Sequence, residues 1–424
     1  MPSRKLRLLC AWFAAAALLL LGSAASAGPA DEVYSARTVV TLPGGGQITS
    51  FDISYVDPVI GLYLLADRTN KSVDVIDTFT NTVAVQLAAT PAFAGATPSN
   101  NNAGPDGVIT VNHREVWAGD GPSQLKVIDL FSQATTHVIS TGGVNRADEL
   151  CFDPRDQLVV VANDAESPFP FISVISTVNY SILQRITMNG SGGTPAATNG
   201  IEQCKWDHRT GKFYLNIPEV NGPGNDTQPG AVMVFSPQSD GTLQIDNVLS
   251  VPIANCAGPQ GMAIGPDHQI LLGCNDPNKT VPSTVIIDDR VKKADTAVTI
   301  VATVANQDGA DEVWFNEGDN SYFLGRSGGL TGLTFMQQLG IIDAGDGEKI
   351  GSDQSVSIGL PNSTTSPHGT AHSVAADPIF NQIYVPIPST AGGTVCSGGG
   401  GKDAQGCIAV FTAAHDDPAT IAKR

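Results

Sequence analysis

Acidic side chains outnumber basic ones in this chain: 41 Asp and Glu stand against 23 Lys and Arg in 424 residues, a formal net charge of −18. Nucleic acids and anionic membranes are bound by clustered Lys and Arg, so the charge argues against both as partners. A cation or a neutral small molecule suits such a chain better.

The N-terminal residues predict a secretory signal peptide. Arg4 and Lys5 precede an apolar run that ends in Ala-Ser-Ala at residues 25–27, and we expect cleavage after this triplet. An N-terminal membrane anchor is the alternative, but the apolar run is short for a span. No later stretch is apolar and long enough to cross a bilayer. We therefore expect residues 28–424 to form one secreted or periplasmic domain without a membrane span.

The rest of the chain consists of short β-branched runs broken by Asp-Pro, Asn-Gly and Gly-Gly turns, and helical periodicity is almost absent. This pattern is typical of an all-β protein. Seven runs align on the tight turn that follows each of them, as in DISYVDP, DELCFDP and HSVAADP. They begin at Asp52, Gly107, Asp148, Glu202, Gln260, Asp311 and His372.

Each unit continues with a second strand such as GLYLLAD, a third that often ends in Ile-Asp, and a weaker fourth. Four strands repeated seven times predict a seven-bladed β-propeller. The last unit ends after its third strand, CIAVF, so we expect residues 36–42 to supply its outer strand. Pairing the two ends of the chain closes the ring and removes exposed sheet edges.

Two stretches resemble known propeller families. LADRTNKSVDVIDTFTNTV, which begins at Leu65, resembles the YVTN-type repeat. GPQGMAIGPDHQILLG, which begins at Gly258, is similar to the NHL and gluconolactonase-like propellers. The resemblance implies a propeller over most of residues 36–413. Gluconolactonase-like propellers hold a divalent metal in the channel region, so the resemblance also implies a metal site there.

The lengths of the connections distinguish the two faces of the predicted propeller. Loops between blades, and those between second and third strands, emerge on one face, and the long connections all belong to it: residues 89–105, 189–199, 218–230, 359–370 and 390–407. Turns on the opposite face are short. Long loops on a rigid scaffold concentrate binding and catalysis, so we predict that the long-loop face is the working face.

Six cysteines follow the predicted signal peptide, an even set that indicates three disulfides in an exported chain. One pair would bracket the Gly-rich loop, one would join the first strands of neighbouring blades, and the third follows by elimination. The expected pairs are Cys396–Cys407, Cys151–Cys204 and Cys256–Cys274, although six cysteines allow other connectivities. No Cys-x-x-Cys or Cys-x-x-Cys-His occurs, so neither a zinc ribbon nor a c-type haem is indicated.

The first residues of the inner strands should lie at the channel mouth on the long-loop face, since equivalent strand positions share a facing. Four of them carry a carboxylate: Asp52, Asp148, Glu202 and Asp311. Converging oxygen ligands suit a divalent metal such as Ca²⁺, and we predict a metal site at these four residues. The alternative is that the acids are solvated or cap neighbouring turns.

Further residues of this mouth are candidates for catalysis and for ligand binding. His372 is the candidate general base because its ordinary pKa is close to neutral, and Asp148 and Glu202 are the candidate catalytic carboxylates. Candidates for holding a ligand are Gln260, Arg68 and Arg326.

Two inner strands begin with an adjacent acid pair, at residues 148–149 and 311–312. Neighbouring residues of a strand face opposite ways. We therefore expect the first acid of each pair to face the channel. The second acid, Glu149 or Glu312, should turn into the gap between blades and need a partner there.

Two functions are compatible with these features. The first is a metal-dependent lactone or ester hydrolase, in which a cation at the channel mouth polarises the carbonyl and activates water. The second is a non-catalytic exported module that binds a small molecule, a glycan or a protein on its long-loop face. A redox enzyme is disfavoured because no haem or disulfide-exchange motif occurs. The acidic ring and the long loops fall at the same mouth, which favours the hydrolase.

Overall fold

The protein is a seven-bladed β-propeller in the computed structural model, which describes residues 33–275, 283–331, 334–345, 350–360, 368–397 and 405–414. In this part of the chain, 28 strands form seven antiparallel four-stranded sheets. The inner strands of successive sheets contact each other all the way round the ring. The predicted all-β propeller is confirmed, and the predicted signal peptide lies outside the described residues.

The first four blades follow one another along the chain, after an initial strand β1 (Tyr34–Val40). Blade 1 comprises β2 (Ser54–Asp57), β3 (Leu62–Asp67), β4 (Ser72–Asp77) and β5 (Thr82–Ala88). Blade 2 comprises β6 (Val108–Val111), β7 (Glu115–Asp120), β8 (Gln124–Asp129) and β9 (Thr135–Ser140). Blade 3 comprises β10 (Leu150–Asp153), β11 (Leu158–Asn163), β12 (Phe171–Ser176) and β13 (Ile182–Thr187). Blade 4 comprises β14 (Cys204–Asp207), β15 (Lys212–Ile217), β16 (Gly230–Pro237) and β17 (Leu243–Val251).

The remaining strands complete the ring. Blade 5 comprises β18 (Pro259–Ile264), β19 (Gln269–Cys274), β20 (Ser283–Asp288) and β21 (Ile300–Ala305). Blade 6 comprises β22 (Ala310–Asn316), β23 (Ser321–Thr331), β24 (Thr334–Asp343) and β25 (Gly351–Ser357). Blade 7 comprises β26 (Ala375–Asp377), β27 (Gln382–Ile387), β28 (Cys407–Ala413) and, as its outer strand, β1. The helical turns of the described residues are two 3₁₀ turns, Pro43–Gly45 and Asn100–Asn102.

The two ends of the described chain close the ring, as predicted. β1 pairs antiparallel with β28, from Tyr34 opposite Ala413 to Val40 opposite Ile408. The strand begins two residues before the expected start at residue 36, because the buried Tyr34 packs edge-on against Phe323 of blade 6 and so extends the paired region. Closure gives β28 a partner on both sides and pairs one edge of β1.

Aspartates at strand ends form the short turns between strands. Asp77 accepts a hydrogen bond from the backbone N–H of Thr80 at 2.8 Å, and Asp129 accepts one from the N–H of Ser132 at 2.8 Å. An Asp side chain that mimics a turn of backbone in this way favours a tight reversal. The recurrent Ile-Asp pairs are therefore turn-forming residues.

The apolar core lies between neighbouring blades. The ring of Tyr63 in blade 1 stacks on that of Tyr384 in blade 7, with centroids 4.8 Å apart, and both side chains are fully buried. Similar clusters fill the interfaces around the ring, as between Val73 of blade 1 and Val116 of blade 2. Because each sheet buries both faces against its neighbours, the hydrophobic effect holds the ring together as a whole.

All three predicted disulfides are present. Cys151–Cys204 joins the inner strands of blades 3 and 4, Cys256–Cys274 crosses the start of blade 5, and Cys396–Cys407 closes the loop before β28. The paired Cα atoms are 5.7, 5.2 and 5.5 Å apart, within the usual range for a disulfide. No helix of the described residues is long and apolar enough to cross a membrane.

Candidate functional site

The central channel contains two sets of side chains that differ in character. At the long-loop end lies a group we call the ionic tier, which consists of Asp52, Arg68, Asp106, Arg146, Asp148, Asp164 and His372. Towards the short-turn end lies a space we call the aromatic cavity, whose walls include Tyr55, Phe152, Trp206 and Trp314.

The backbone places one residue of each blade in equivalent positions at the long-loop end. The N–H of Asp52 donates to the carbonyl of Ala66 at 3.0 Å, and the N–H of Asp106 donates to the carbonyl of Gly119 at 3.1 Å. Asp106, and not Gly107, is thus the residue of blade 2 that corresponds to Asp52. A Cβ at Gly107 would lie 1.9 Å from the carbonyl oxygen of Asp148, so the neighbouring inner strand leaves no room for a side chain there.

Arg68 is the counter-ion of two of the predicted ring acids. Its guanidinium contacts the carboxylates of both Asp52 and Asp106, and its Nε donates to Asp106 Oδ1 at 2.9 Å. Arg68 is 3% exposed. Burial lowers its pKa, but the two carboxylates raise the pKa more, so the guanidinium stays charged. The predicted ligand-binding arginine is therefore already engaged by the protein's own acids.

Arg146 is likewise the counter-ion of two aspartates, on the neighbouring side of the channel. Its Nη2 lies 2.7 Å from Asp148 Oδ2 and 2.8 Å from Asp164 Oδ2. Asp164 follows β11 and reaches the channel from the long-loop end. Two arginines thus contact four aspartates and offset two of their four negative charges, which lowers the cost of burying the carboxylates.

His372 is bound to this network and stacked on an aromatic ring. Its Nε2 lies 3.1 Å from Asp52 Oδ1, and its ring lies parallel to that of Phe51 with centroids 5.1 Å apart. Burial lowers the pKa of His372, but the hydrogen bond and charge of Asp52 and the charge of Asp311 raise it above its ordinary value. This shift favours the protonated imidazole and so counts against His372 as a general base.

Two carboxylate oxygens of the ionic tier have no hydrogen-bond partner, namely Asp106 Oδ2 and Asp148 Oδ1. Both side chains are buried, and burial raises the pKa of each well above its usual range against the lowering effect of the arginines. Asp52, Asp106 and Asp148 each offer an oxygen within 4.8 Å of the others, a spacing that a metal ion can bridge. Two of the four predicted metal ligands are thus brought together, with Asp106 as a third.

The other predicted site residues lie apart from this triad. Glu202 and Asp311 line the same channel half-buried, and burial raises the pKa of both. The side chain of Gln260 accepts a hydrogen bond from Asn275 at 2.7 Å. Arg326 lies within β23, where it contacts Asp308 at 3.2 Å and is 3% exposed. Neither Gln260 nor Arg326 is free in the structure.

Glu149 and Glu312 form a contact across the channel. The two carboxyl groups lie within reach of each other, although blades 3 and 6 are not neighbours, and Glu312 accepts a hydrogen bond from Gln203 of blade 4. The prediction that these acids turn into the gaps between blades was wrong. Burial raises the pKa of Glu149 to about 7 and that of Glu312 well above its usual range, which favours a protonated carboxyl in this pair.

Lys205 lies on the short-turn side of this pair and lines the aromatic cavity. It is half-buried, and its Nζ lies 5.4 Å from the centre of the Trp314 ring. Burial lowers the pKa of Lys205, and the charges of Glu149 and Glu312 only partly offset this. Among the described residues, no side chain or carbonyl accepts a hydrogen bond from its amine.

The aromatic cavity has a volume of about 470 Å³ and reaches the short turns at His113 and Pro154. A second cavity of about 390 Å³ adjoins it. The two share four wall residues: Tyr55, Lys205, Trp206 and Trp314. A cavity with apolar and aromatic walls and a few converging polar groups is the usual form of a small-molecule site. It lies at the end of the channel opposite the predicted working face.

Sequence reasoning missed most of these residues. Arg146 stands two residues before Asp148 in NRADEL, so an Arg beside the acid pair was a usable sign of ion pairing. Lys205 and Trp206 interrupt the apolar inner strand of blade 4 in EQCKWDH, a departure that the aligned units make visible. Nothing comparable marks Asp164, which becomes part of the site only through the fold.

Comparison with known proteins supports the fold. No protein-family profile matches the chain, and no curated protein sequence matches it. Among solved structures, the WD40 repeats of RRP9 align with a TM-score of 0.60 at 9% identity, covering 90% of this chain and 100% of that one. A chain of the mitotic checkpoint complex aligns with a TM-score of 0.59 at 11% identity, covering 89% and 91%. U3-55K aligns with a TM-score of 0.58 at 9% identity, covering 87% and 96%.

Proposed function

We propose that the protein is an exported binding protein that holds a neutral sugar, or a similar polar ring compound, in the aromatic cavity. One observation carries the proposal. A single cavity of about 470 Å³ combines the rings of Tyr55, Trp206 and Trp314 with the amine of Lys205. The predicted signal peptide and the disulfides favour export, since disulfides persist in oxidising compartments.

The chemistry of the walls favours this ligand class. Flat aromatic faces pack against the C–H faces of a sugar ring, while an amine hydrogen-bonds to its hydroxyls. The amine of Lys205 lies close to the acids Glu149 and Glu312, so basic and acidic groups occur together and the cavity does not select an ion of one sign. The volume suits a small molecule and is too confined for a folded protein partner.

Tryptophan fluorescence tests the proposal directly, because Trp206 and Trp314 line the cavity. We expect one or more neutral mono- or disaccharides to change the emission saturably and to raise the melting temperature steadily as the logarithm of ligand concentration increases. The matched variant Trp206→Phe should keep part of the response and Trp206→Ala should lose most of it. A flat titration and an unchanged melting temperature across the whole panel would rule the proposal out.

The metal-dependent lactone or ester hydrolase is the second candidate, and a specific observation favours it. Asp106 Oδ2 and Asp148 Oδ1 lack partners, and a divalent cation such as Ca²⁺ would satisfy both. Arg68 and Arg146 act against it, because they bring two positive charges to the same carboxylates. The donor set therefore fits a cation only in part, and we derive no hydrolytic step from it.

Elemental analysis separates the two candidates. The hydrolase requires a stoichiometric divalent metal in the purified protein and lactone or ester turnover that a chelator abolishes. Asp148→Asn should then lose both, while the sugar response of Trp206 and Trp314 persists. Protein that is free of metal and retains its full sugar response in excess chelator would eliminate the hydrolase and leave the binding protein.

A further inference from the structure

We propose that Lys205 captures carbonyl compounds in the aromatic cavity as a reversible imine, which makes free aldehydes, ketones and reducing sugars its ligand class. This inference rests on the proposed function, since it assigns a chemistry to the same cavity. The main evidence for it is the position of the Lys205 amine in the cavity, without a hydrogen-bond partner among the described residues.

The surroundings of the amine differ from those of an ordinary buried lysine. Lys126 shows the ordinary case: it is 1% exposed, its Nζ lies 2.6 Å from Asp120 Oδ2, and it donates to the carbonyl of Ala92 at 2.8 Å. Lys205 has no such partner among the described residues, and Glu149 and Glu312 act on it only through space. Its lone pair is therefore available to a molecule in the cavity once the ammonium loses a proton.

The cavity favours the unprotonated amine. Burial lowers the pKa of Lys205, so a larger fraction is neutral near pH 7 than for an exposed lysine. The walls formed by Tyr55, Trp206 and Trp314 also limit the water that hydrolyses an imine. A lysine with a lowered pKa in an apolar site is the usual nucleophile for carbonyl groups.

The reaction is balanced and neither oxidises nor reduces the ligand. The Nζ lone pair attacks the carbonyl carbon, and the C=O π electrons move to oxygen. The two hydrogens lost by the neutral amine leave with that oxygen as one molecule of water. The product is a C=N bond to Lys205, and water reverses it. A glycoside, whose carbonyl carbon is locked in an acetal, fits the same cavity but cannot react.

Reductive trapping tests the proposal on the full-length mature protein. Glycolaldehyde, the smallest sugar aldehyde, is added at pH 7 with cyanoborohydride, which reduces an imine to a stable secondary amine, and labelled lysines are identified by peptide mass mapping. We expect Lys205 to be labelled on the order of tenfold faster than the exposed Lys71, because more of its amine is neutral. Lys126, held in its ion pair, should remain unlabelled.

Two variants control for the fold. Lys205→Arg keeps the positive charge beside Glu149 and Glu312 but carries a guanidinium that stays protonated, so it should fold and lose the fast label. Lys212→Arg changes a lysine that pairs with Asp246 at 2.9 Å outside the cavity, and it should keep fast labelling of Lys205.

A parallel titration with methyl glycosides separates the possible failures. Glycoside binding without preferential labelling of Lys205 would overturn the imine and leave the binding function intact. Preferential labelling without glycoside binding would support the reactive lysine and overturn the sugar ligand. If neither glycoside binding nor preferential labelling of Lys205 is found, both the sugar ligand and the imine are overturned. Fast labelling that Lys205→Arg abolishes, together with glycoside binding, is the result we expect.

Discussion

The two ends of the channel differ in whether their buried charged groups have partners within the protein. At the long-loop end, Arg68 and Arg146 take up the aspartates of the ionic tier through direct ion pairs. At the other end, Lys205 faces a cavity without a hydrogen-bond partner among the described residues. In the first arrangement the charged groups engage one another, and in the second an amine remains available to a ligand. An acidic ring is thus weak evidence for a ligand until its counter-ions are known.

The largest expected effect tests the structural role of the ionic tier. Arg68→Met should lower the free energy of unfolding by about 3–5 kcal/mol, because Asp52 and Asp106 would be left buried without their shared counter-ion. Denaturant unfolding measures the change. Arg290→Met is the control: this arginine pairs with Asp288 in an exposed turn and should leave the midpoint unchanged. A loss no larger than the control's would show that the tier is not structural.

The next effect concerns a long loop at the same end. The carboxylate of Glu219 accepts hydrogen bonds from the backbone N–H groups of Gly224, Asn225, Thr227 and Gln228. Glu219→Ala should destabilise the protein by about 2 kcal/mol, since these donors lose a charged acceptor. Glu219→Gln keeps one carbonyl acceptor and should cost less. Equal stability of wild type and both variants would contradict an ordering role for this side chain.

The same residue predicts a pH dependence. Burial raises the pKa of Glu219, but the four backbone donors lower it more, so the folded-state pKa lies below its ordinary value of 4.5. A lowered carboxylate pKa stabilises the fold above that ordinary value, and the contribution is lost as pH falls through the folded-state pKa. The melting temperatures of wild type and Glu219→Gln should therefore converge below pH 4.5. A difference that stays constant down to acid pH would contradict this assignment.

A smaller effect is expected for substitutions in the wall of the aromatic cavity. Trp206→Ala should weaken sugar binding about tenfold, equivalent to the loss of one aromatic contact, while the protein remains folded. Isothermal titration calorimetry measures the affinity and circular dichroism the fold. Phe152→Leu, which keeps an apolar wall, should change the affinity less. If Trp206→Ala unfolds the protein while Arg68→Met leaves it intact, the roles assigned to the two ends are reversed.

The smallest expected effect lies on the short-turn face outside the channel. Phe131 is 81% exposed in the turn between β8 and β9. Phe131→Ser should change the free energy of unfolding by no more than about 0.5 kcal/mol and leave sugar affinity unchanged. Loss of affinity in this variant would show that the binding surface extends beyond the aromatic cavity.

The fold could be predicted because its signal is repeated. Seven strand–turn units in register identify the blades even where a single strand is weak, and the missing outer strand of the last unit predicts the pairing of β1 with β28. The disulfides followed from the same register, since it places Cys151 and Cys204 on neighbouring inner strands. The bounds of β1 differ from the predicted residues 36–42, because the packing of Tyr34 helps to decide where the strand pairing begins.

The site was harder to predict because it depends on contacts between blades that are distant in the sequence. Register alone could place Asp52 and Asp148 at one mouth, and the structure brings them together. It could not show that Glu149 and Glu312 reach across the channel, since alternation along one strand says nothing of the channel's width. The aromatic cavity could not be predicted because its walls come from the inner strands of several blades and form only in the assembled ring.

The pairing of β1 with β28 has a consequence for how the molecule is made. Residues 34–40 are synthesised before the other strands of the propeller, and their partner, residues 407–413, after them. Blade 7 therefore cannot be completed until all the other strands of the propeller have been made, and such non-local pairing slows folding. Until then, β1 and one edge of β27 lack their strand partner. Unpaired edges of this kind can pair with other chains, so the interval before ring closure is the one most exposed to aggregation.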